Sequence, residues 1–262
     1  MSGAPNILTL LTVLPWPGSP DPAEPGRAIE PGRAMEWAPA VGLLLGVLAG
    51  AVFVVAGDAA GAGSLTGAVL AMAALALLTR GLHLDGLADL ADGLGSGRPA
   101  GAALEIMRKS DIGPMGVVAV LFTLLLQVAA VAHAGASWRG ALVLVTGVVT
   151  GRLALTWACR SGVPAARPEG LGALVAGTVR PVVPAITTVV LAAAAGAASA
   201  AGAAGGIRPG LTMAGGVLAG LAAAWALQRH AVRRLGGITG DVLGALAEVA
   251  TTVTLVVATC GR

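Results

Sequence analysis

Long apolar runs separated by short polar segments dominate this chain. A helix needs about 20 mostly apolar residues to cross a bilayer, and runs of about that length recur about seven times. They lie near 40–57, 64–80, 115–133, 140–158, 182–203, 210–228 and 243–260. A shorter run over 7–14 ends at Pro15 and is too short to span. The pattern predicts an all-α, polytopic integral membrane protein with about seven transmembrane helices, preceded by a short interfacial or re-entrant helix.

The polar segments predict one membrane domain over 1–262 with its main loops on one side. These are an N-terminal loop at 15–39, a loop carrying several acids at 81–114, and a loop at 229–242 before the last span. Most arginines fall in loops on this side, which the positive-inside rule makes cytoplasmic. Every acid except Asp58 also lies on or near this side. We expect a multi-pass protein of the cell (cytoplasmic) membrane with a polar site facing the cytoplasm.

Composition supports the membrane assignment. Hydrophobic residues make up 56% of the chain and charged residues 11%, whereas about a quarter of a soluble domain is charged. The 40 glycines suit close helix packing in lipid, and they permit a homodimer without requiring one. The net charge of +3 comes mainly from loop arginines, which suit phosphates and anionic headgroups and give no argument for nucleic acid. Cys159 and Cys260 lack the spacing of a zinc site.

The first chemical candidate is a stripe of acids directly after an apolar run. Asp85, Asp89 and Asp92 stand at i, i+4 and i+7, so on a helix they share one face. Like charges at this spacing repel by a few tenths of a kcal/mol per pair, which favours a bound cation. Carboxylate oxygens are the ligands that Mg²⁺ prefers, with waters and a substrate phosphate completing its shell. His83 is a candidate general base, because an unperturbed imidazole titrates near neutrality.

A second cluster follows in the same polar segment. Arg108 and Lys109, next to Ser110, are candidates for neutralising phosphate oxygens, and Asp111 is a candidate to share a metal with the stripe. A structural interpretation is also open. Glu105 and Lys109 form an ordinary i,i+4 pair, and Asp111 could cap the next helix.

A third cluster opens the last span. Arg233, Arg234 and Thr239 flank a glycine-rich turn that ends at Asp241. Glycines leave backbone N–H groups accessible to an anion, and a helix start directs partial positive charge at it. This turn is therefore a candidate phosphate-binding segment.

Glu248 lies on the same helical face as Asp241 and is carried into the membrane. An ionisable residue inside a span is costly and marks a functional site by default. The alternative is that Glu248 pairs with Arg152, which lies inside the fourth span.

Three segments together resemble the cobalamin synthase family, the adenosylcobinamide-GDP ribazoletransferases. They are Gly81–Gly93, Ile106–Gly116 and Gly236–Ala245, and Leu11–Pro15 is similar to that family's opening. Lys109 stands where the family commonly has an aspartate, which places more weight on Asp111.

The resemblance implies a transferase that completes the nucleotide loop of vitamin B12. Its expected substrates are adenosylcobinamide-GDP and α-ribazole or α-ribazole 5′-phosphate, its expected products are GMP and adenosylcobalamin or its 5′-phosphate, and it is expected to require Mg²⁺. Together with the residue patterns, it predicts a metal site made by Asp85, Asp89, Asp92, Asp111 and Asp241. The same residues and His83 are the predicted catalytic groups. The predicted substrate- and phosphate-binding residues are Arg108, Lys109, Ser110, Arg152, Arg233, Arg234, Thr239 and Glu248.

Two other functions fit parts of the pattern. A CDP-alcohol phosphotransferase also carries an acidic Mg²⁺ motif at a span end, but there Asp-Gly precedes an Ala-Arg pair, whereas Asp85-Gly86 precedes Leu87-Ala88-Asp89. A transporter could use Glu248 and Arg152 as a relay. Transporters usually place their polar groups near the midplane, so acids gathered on one face favour an enzyme.

Overall fold

A computed structural model of the chain describes residues 11–12, 31–135, 138–202 and 206–260. The helices are α1 (Pro31–Glu36), α2 (Ala38–Val54), α3 (Gly63–Leu78), α4 (Leu82–Gly95), α5 (Ala100–Ile106), α6 (Pro114–Ala134), α7 (Trp138–Ala158), α8 (Leu171–Val175), α9 (Val182–Ala201), α10 (Ile207–Leu235) and α11 (Gly240–Thr259). A π-helical turn, Val55–Ala59, extends α2. These ranges contain no β-strand, only two isolated bridges. The all-α prediction is confirmed.

Six of the described helices are long and apolar enough to cross a membrane. They are α2 with its π-helical turn, α6, α7, α9, α10 and α11, and the bent pair of α3 and α4 brings the number to seven. This confirms a polytopic membrane protein. The two helices of the pair meet at 87°, through Arg80 and Gly81, both of which have positive φ. We treat α4 as a helix that runs across the end of the bundle, outside the spans.

Glycines allow the spans to approach one another closely, as the composition predicts. A Cβ on Gly42 of α2 would lie 3.0 Å from Val149 Cα of α7. A Cβ on Gly220 of α10 would lie 2.6 Å from the Ala250 carbonyl oxygen of α11. α7 and α11 are the most buried spans and form the centre of the bundle.

The three predicted loops are more helical than expected. Segment 81–114 contains α4 and α5, because Leu87 and Leu90 give α4 an apolar face that packs into the bundle. In segment 229–242, α10 runs on to Leu235 and only 236–239 connects it to α11. Within 15–39 the structure describes α1 and the start of α2. The predicted helix at 7–14 and the rest of that loop lie outside the described residues, apart from the buried Leu11 and Thr12.

One end of the bundle carries most of the charge. It is the end at which α3, α7 and α10 finish and α6 and α11 begin, and α4 packs across it. Gln228 of α10 donates to the Ala158 carbonyl of α7 here, which fixes the two helix ends side by side. Within the described ranges, the charged residues of the opposite end are Asp58, Arg139 and Arg208. Asp85, Asp89 and Asp92 on α4 therefore lie at the same end of the bundle as the polar turns between the spans.

Candidate active site

Two glycines bring the acidic stripe against the start of α11. A Cβ on Gly86 would lie 2.8 Å from the Asp241 carbonyl oxygen, and a Cβ on Gly244 would lie 3.2 Å from His83 Cα. α4 and α11 therefore cross almost backbone to backbone. The crossing places Asp85 and Asp89 beside Asp241, although these residues are far apart in the sequence.

Burial and the charges of neighbouring carboxylates both act on Asp89. The pKa of the half-buried Asp89 is raised to about 7, first by burial and then by the negative charges of Asp85, Asp241 and Asp92. Arg167 opposes the shift. A group of carboxylates that raises the pKa of its own member is an environment that a cation stabilises.

A cleft of about 840 Å³ opens next to Asp89. We call it the charged cleft. Three of the predicted acids and four polar or basic side chains line it: Asp85, Asp89, Asp111, Arg80, Arg108, Lys109 and Ser110. The structure thus brings the first two sequence clusters together, as their shared segment predicts. Arg80, at the bend between α3 and α4, is an addition that the sequence did not single out.

A second cavity of about 300 Å³ lies on the other side of Asp85. We call it the apolar pocket, because most of the larger side chains in its lining are apolar: Leu11, Met35, Leu82, Leu155, Leu171, Ile238 and Leu243. His83, Asp85 and Asp241 also line it. Asp85 is therefore the carboxylate that borders both cavities.

Thr239 positions Asp241 at the edge of the apolar pocket. Its Oγ1 accepts a hydrogen bond from the Val242 backbone N–H at 3.2 Å, so Thr239 is the N-cap of α11. The same hydroxyl donates to Asp241 Oδ2 at 3.1 Å. The glycine-rich turn thus holds an acid in place.

Asp92 has a role that the sequence did not predict. Its Oδ2 accepts from the Gly113 N–H at 2.7 Å, and its Oδ1 accepts from the Gly116 N–H at 2.9 Å. Both carboxylate oxygens are thus bonded to the start of α6, and a Cβ on either glycine would collide with them. Asp92 lines neither the charged cleft nor the apolar pocket. It caps α6, and we do not include it among the proposed metal ligands.

Arg152 and Glu248 are buried inside the bundle, as their places within the spans predict, and they line neither of the two cavities. The alternative that Glu248 pairs with Arg152 is not seen as an ion pair among the described residues, although both side chains line one small cavity and their charges attract each other. Glu248 Oε2 instead accepts from Gln127 Nε2 of α6 at 2.8 Å, and Gln127 also donates to Thr252 Oγ1 at 3.0 Å. Their predicted contact with substrate phosphate has no support in this arrangement.

Arg233 and Arg234 are exposed at the end of α10 and also lie outside the linings of both cavities. Arg234 Nη2 donates to the Arg98 carbonyl at 3.2 Å. The basic pair therefore lies on the surface beside the site.

Arg167 and Glu169 are site residues that sequence reasoning missed. Both line the apolar pocket, and Arg167 attracts the charges of Asp89 and Asp241. Glu169 Oε1 lies 3.0 Å from Arg108 Nη2, which connects the pocket's rim to the charged cleft. The segment just before them is hydrogen-bonded to the turn before α11: the Ile238 N–H donates to the Pro164 carbonyl at 2.9 Å. The only sequence signal is a short polar turn after a span.

Comparison with known proteins identifies the family. A family model described as cobalamin-5-phosphate synthase matches residues 5–259. This chain belongs to that family. The resemblance noted in the sequence is therefore confirmed, and the prediction of a transferase enzyme of cobalamin synthesis is confirmed with it. Membership also decides against the CDP-alcohol phosphotransferase and the transporter.

The relatives of this cobalamin-5-phosphate synthase family member match it over nearly its whole length. It is 47% identical to the adenosylcobinamide-GDP ribazoletransferase of Frankia casuarinae, over 98% of this chain and 94% of that protein. The proteins of the same name from Bradyrhizobium diazoefficiens and a Nocardioides species are 39% and 38% identical. These matches cover 97% and 85% of this chain, and 91% and 85% of the relatives. No solved structure matches the chain.

The donor set of the site suits Mg²⁺, the metal that the family resemblance implies. Asp85, Asp89 and Asp111 present hard oxygen ligands to one cleft, and the charges of Asp85, Asp241 and Asp92 act on Asp89. In the described part of the chain, no three acidic, histidine or cysteine side chains form a metal-binding group, so the five predicted carboxylates do not come together as one site. Mg²⁺ is usually held by one or two carboxylates and takes other ligands from water and substrate phosphates.

Proposed function

We propose that this protein transfers the adenosylcobinamide-phosphate group from adenosylcobinamide-GDP to a ribose hydroxyl of α-ribazole or of α-ribazole 5′-phosphate. GMP is released, and the product is adenosylcobalamin or its 5′-phosphate. Support comes from the family match and from relatives that carry the name adenosylcobinamide-GDP ribazoletransferase. The observation that carries the chemical proposal is the convergence of carboxylates and cationic side chains in the charged cleft.

The residues of the charged cleft suit phosphoryl transfer, which needs positioning and charge neutralisation more than covalent chemistry. Asp85 and Asp89 would hold Mg²⁺, with Asp111 in the lining of the same cleft and Asp241 in the lining of the apolar pocket. A metal bound there would supply positive charge for the diphosphate of the donor and for the departing phosphate. Arg108 and Lys109 neutralise the remaining phosphate oxygens, and Ser110 offers a hydroxyl donor beside them.

In the reaction, an oxygen of the acceptor ribose forms a bond to the phosphorus that carries cobinamide. The bond from that phosphorus to the bridging oxygen breaks, and the oxygen leaves with GMP. The hydroxyl proton passes to a base at the site. We assign this role to His83, because it lines the apolar pocket with Asp85 and neither ring nitrogen has a hydrogen-bond partner among the described residues.

The enzyme acts in a lipid bilayer, and we place its site on the cytoplasmic side of the cell membrane. The end of the bundle that carries α4 also carries most of the arginines in the polar turns, which is the positive-inside pattern.

The test is GMP release by the purified protein from adenosylcobinamide-GDP and α-ribazole, with Mg²⁺ or with a chelator. Asp89→Asn should lower turnover by about two orders of magnitude, the usual scale for losing a group that neutralises transition-state charge. Asp58→Asn, exposed at the opposite end of the bundle, is the matched control and should leave turnover unchanged. If the wild-type protein releases no GMP, the proposed activity is wrong. If release continues in chelator, the metal proposal is wrong.

A further inference from the structure

The two cavities that meet at Asp85 have different walls. The charged cleft is lined by acids and by the basic side chains Arg80, Arg108 and Lys109. The apolar pocket has more aliphatic side chains in its lining, together with His83, Thr239 and the charged side chains Asp85, Arg167, Glu169 and Asp241. A reaction that joins two substrates at one phosphorus atom needs two binding regions on opposite sides of that atom.

We propose that the apolar pocket binds the acceptor nucleoside through its base, while the charged cleft binds the diphosphate and nucleotide portion of the donor. This division rests on the proposed function. The proposal assigns one substrate to each cavity, and Asp85, which lines both cavities, lies between the two substrates.

Size supports this assignment. The apolar pocket measures about 300 Å³, at the lower end of the roughly 300–1,000 Å³ typical of small-molecule sites. A single nucleoside fits such a volume, but a corrinoid macrocycle does not. The charged cleft, at about 840 Å³, is the larger and more open of the two.

The chemistry of the two bases gives the pocket its selectivity. The base of α-ribazole is a dimethylbenzimidazole, which has two methyl groups and no exocyclic amino or carbonyl group. Guanine has both. The aliphatic side chains Leu155, Leu171 and Leu243 offer no hydrogen-bond partner to the exocyclic groups of guanine, whereas the methylated ring needs none.

His83 supplies an independent observation that a polar ligand belongs in this pocket. Its side chain is only 2% exposed, and both ring nitrogens are buried without a hydrogen-bond partner among the described residues. Buried polar groups are nearly always hydrogen-bonded, so this pair of atoms calls for a partner. A ribose hydroxyl can donate to one imidazole nitrogen or accept from the other, and it is the group that must react.

The experiment measures binding of each ligand separately by calorimetry, using the full-length protein in detergent micelles. α-Ribazole should bind the wild-type protein equally well in Mg²⁺ and in chelator, since an apolar pocket needs no metal. GMP should bind only with Mg²⁺. Guanosine should bind in chelator at least tenfold more weakly than α-ribazole, on the usual scale for a base that leaves polar groups unpaired.

Leu171→Trp provides the structural test, because Leu171 is half-buried and lines the pocket. The larger side chain should weaken α-ribazole binding by about tenfold or more, while GMP binding in Mg²⁺ changes less than about twofold. Leu174→Trp is the matched control. Leu174 lies on the same short helix α8 but is 61% exposed and outside the pocket. It should change neither affinity. Lys109→Ala should show the reverse pattern, weakening GMP binding alone.

The division of substrates is overturned if Leu171→Trp weakens GMP binding instead, or if it leaves α-ribazole binding unchanged. If the tryptophan variant does not fold, Leu171→Phe provides the same comparison with a smaller change. These outcomes are distinct from failure of the proposed function, because turnover of the wild-type protein is measured beforehand. An active wild-type protein in which the variants miss the predicted pattern refutes only the division.

Discussion

Replacing Asp92 separates a structural carboxylate from the metal-binding carboxylates of the same stripe. In Asp92→Asn the amide oxygen can still accept from one of the two N–H groups at the start of α6, but the amide nitrogen cannot accept from the other. The variant also loses the negative charge beside a helix N-terminus. An N-cap interaction is worth about 0.5–2 kcal/mol and the helix-dipole term about 0.3–1 kcal/mol. We therefore expect a loss of roughly 2 kcal/mol in the free energy of unfolding.

For a chain of this size, 2 kcal/mol corresponds to a fall in Tm of roughly 4–8 °C. The measurement is thermal unfolding in detergent at a fixed scan rate, followed by GMP release at a temperature where both proteins are folded. Per folded molecule, turnover and the Mg²⁺ concentration for half-maximal activity should stay within about threefold of wild type, since Asp92 lines neither cavity and is only the last-named of the charges that act on Asp89. An unchanged Tm together with a large loss of activity, or with a raised Mg²⁺ requirement, would show that Asp92 is a metal ligand after all.

Three further predictions follow from the same geometry. Because the pKa of Asp89 is about 7, this carboxylate is mostly protonated at pH 6 and must lose its proton to bind Mg²⁺. The apparent affinity for Mg²⁺ should therefore fall by up to about tenfold per pH unit below pH 7 and level off above pH 8. A Mg²⁺ titration of activity at several pH values measures this dependence. Arg167→Gln should raise KM for α-ribazole 5′-phosphate several-fold more than KM for α-ribazole, because Arg167 lines the apolar pocket with a buried Nε that has no partner among the described residues; equal effects on both would contradict it. Gly86→Ala should lower both Tm and turnover, because its Cβ would meet the Asp241 carbonyl oxygen at 2.8 Å, whereas Gly101→Ala, whose Cβ meets no atom within 4 Å, should change neither.

The features that the sequence predicted correctly depend on short-range periodicity. Apolar runs identify the spans, since a helix that crosses lipid must satisfy its own backbone and expose apolar side chains. Asp85 and Asp89 share a helical face at i,i+4 spacing. Asp111 lines the same cleft, because a short turn joins α4 to α5 and Asp111 lies in the segment that directly follows α5. Local spacing and local connection were sufficient in these cases.

The features that the sequence did not predict depend on contacts between distant segments. Spacing alone cannot tell that Asp92 faces the start of α6 while Asp89 faces the cleft. Pairing with Arg152 was the structural alternative for Glu248, but Gln127 of α6 donates to Glu248 instead. Arg167 reaches the site only because its segment is bonded to the turn before α11. Each of these contacts depends on which helices are neighbours in the bundle, and that cannot be predicted from the spacing of residues in one sequence.

The close crossing of α4 and α11 has a consequence for how the enzyme handles its ligands. With Gly86 against Asp241 and Gly244 against His83, neither helix can slide or tilt without a backbone collision or a gap. Asp85 and Asp241 therefore keep nearly the same separation before and after a cation arrives. The field at this position is preorganised, so little reorganisation accompanies the chemical step. If the site opens for a bulky substrate, we expect the turns around the crossing to move and the crossing itself to stay fixed.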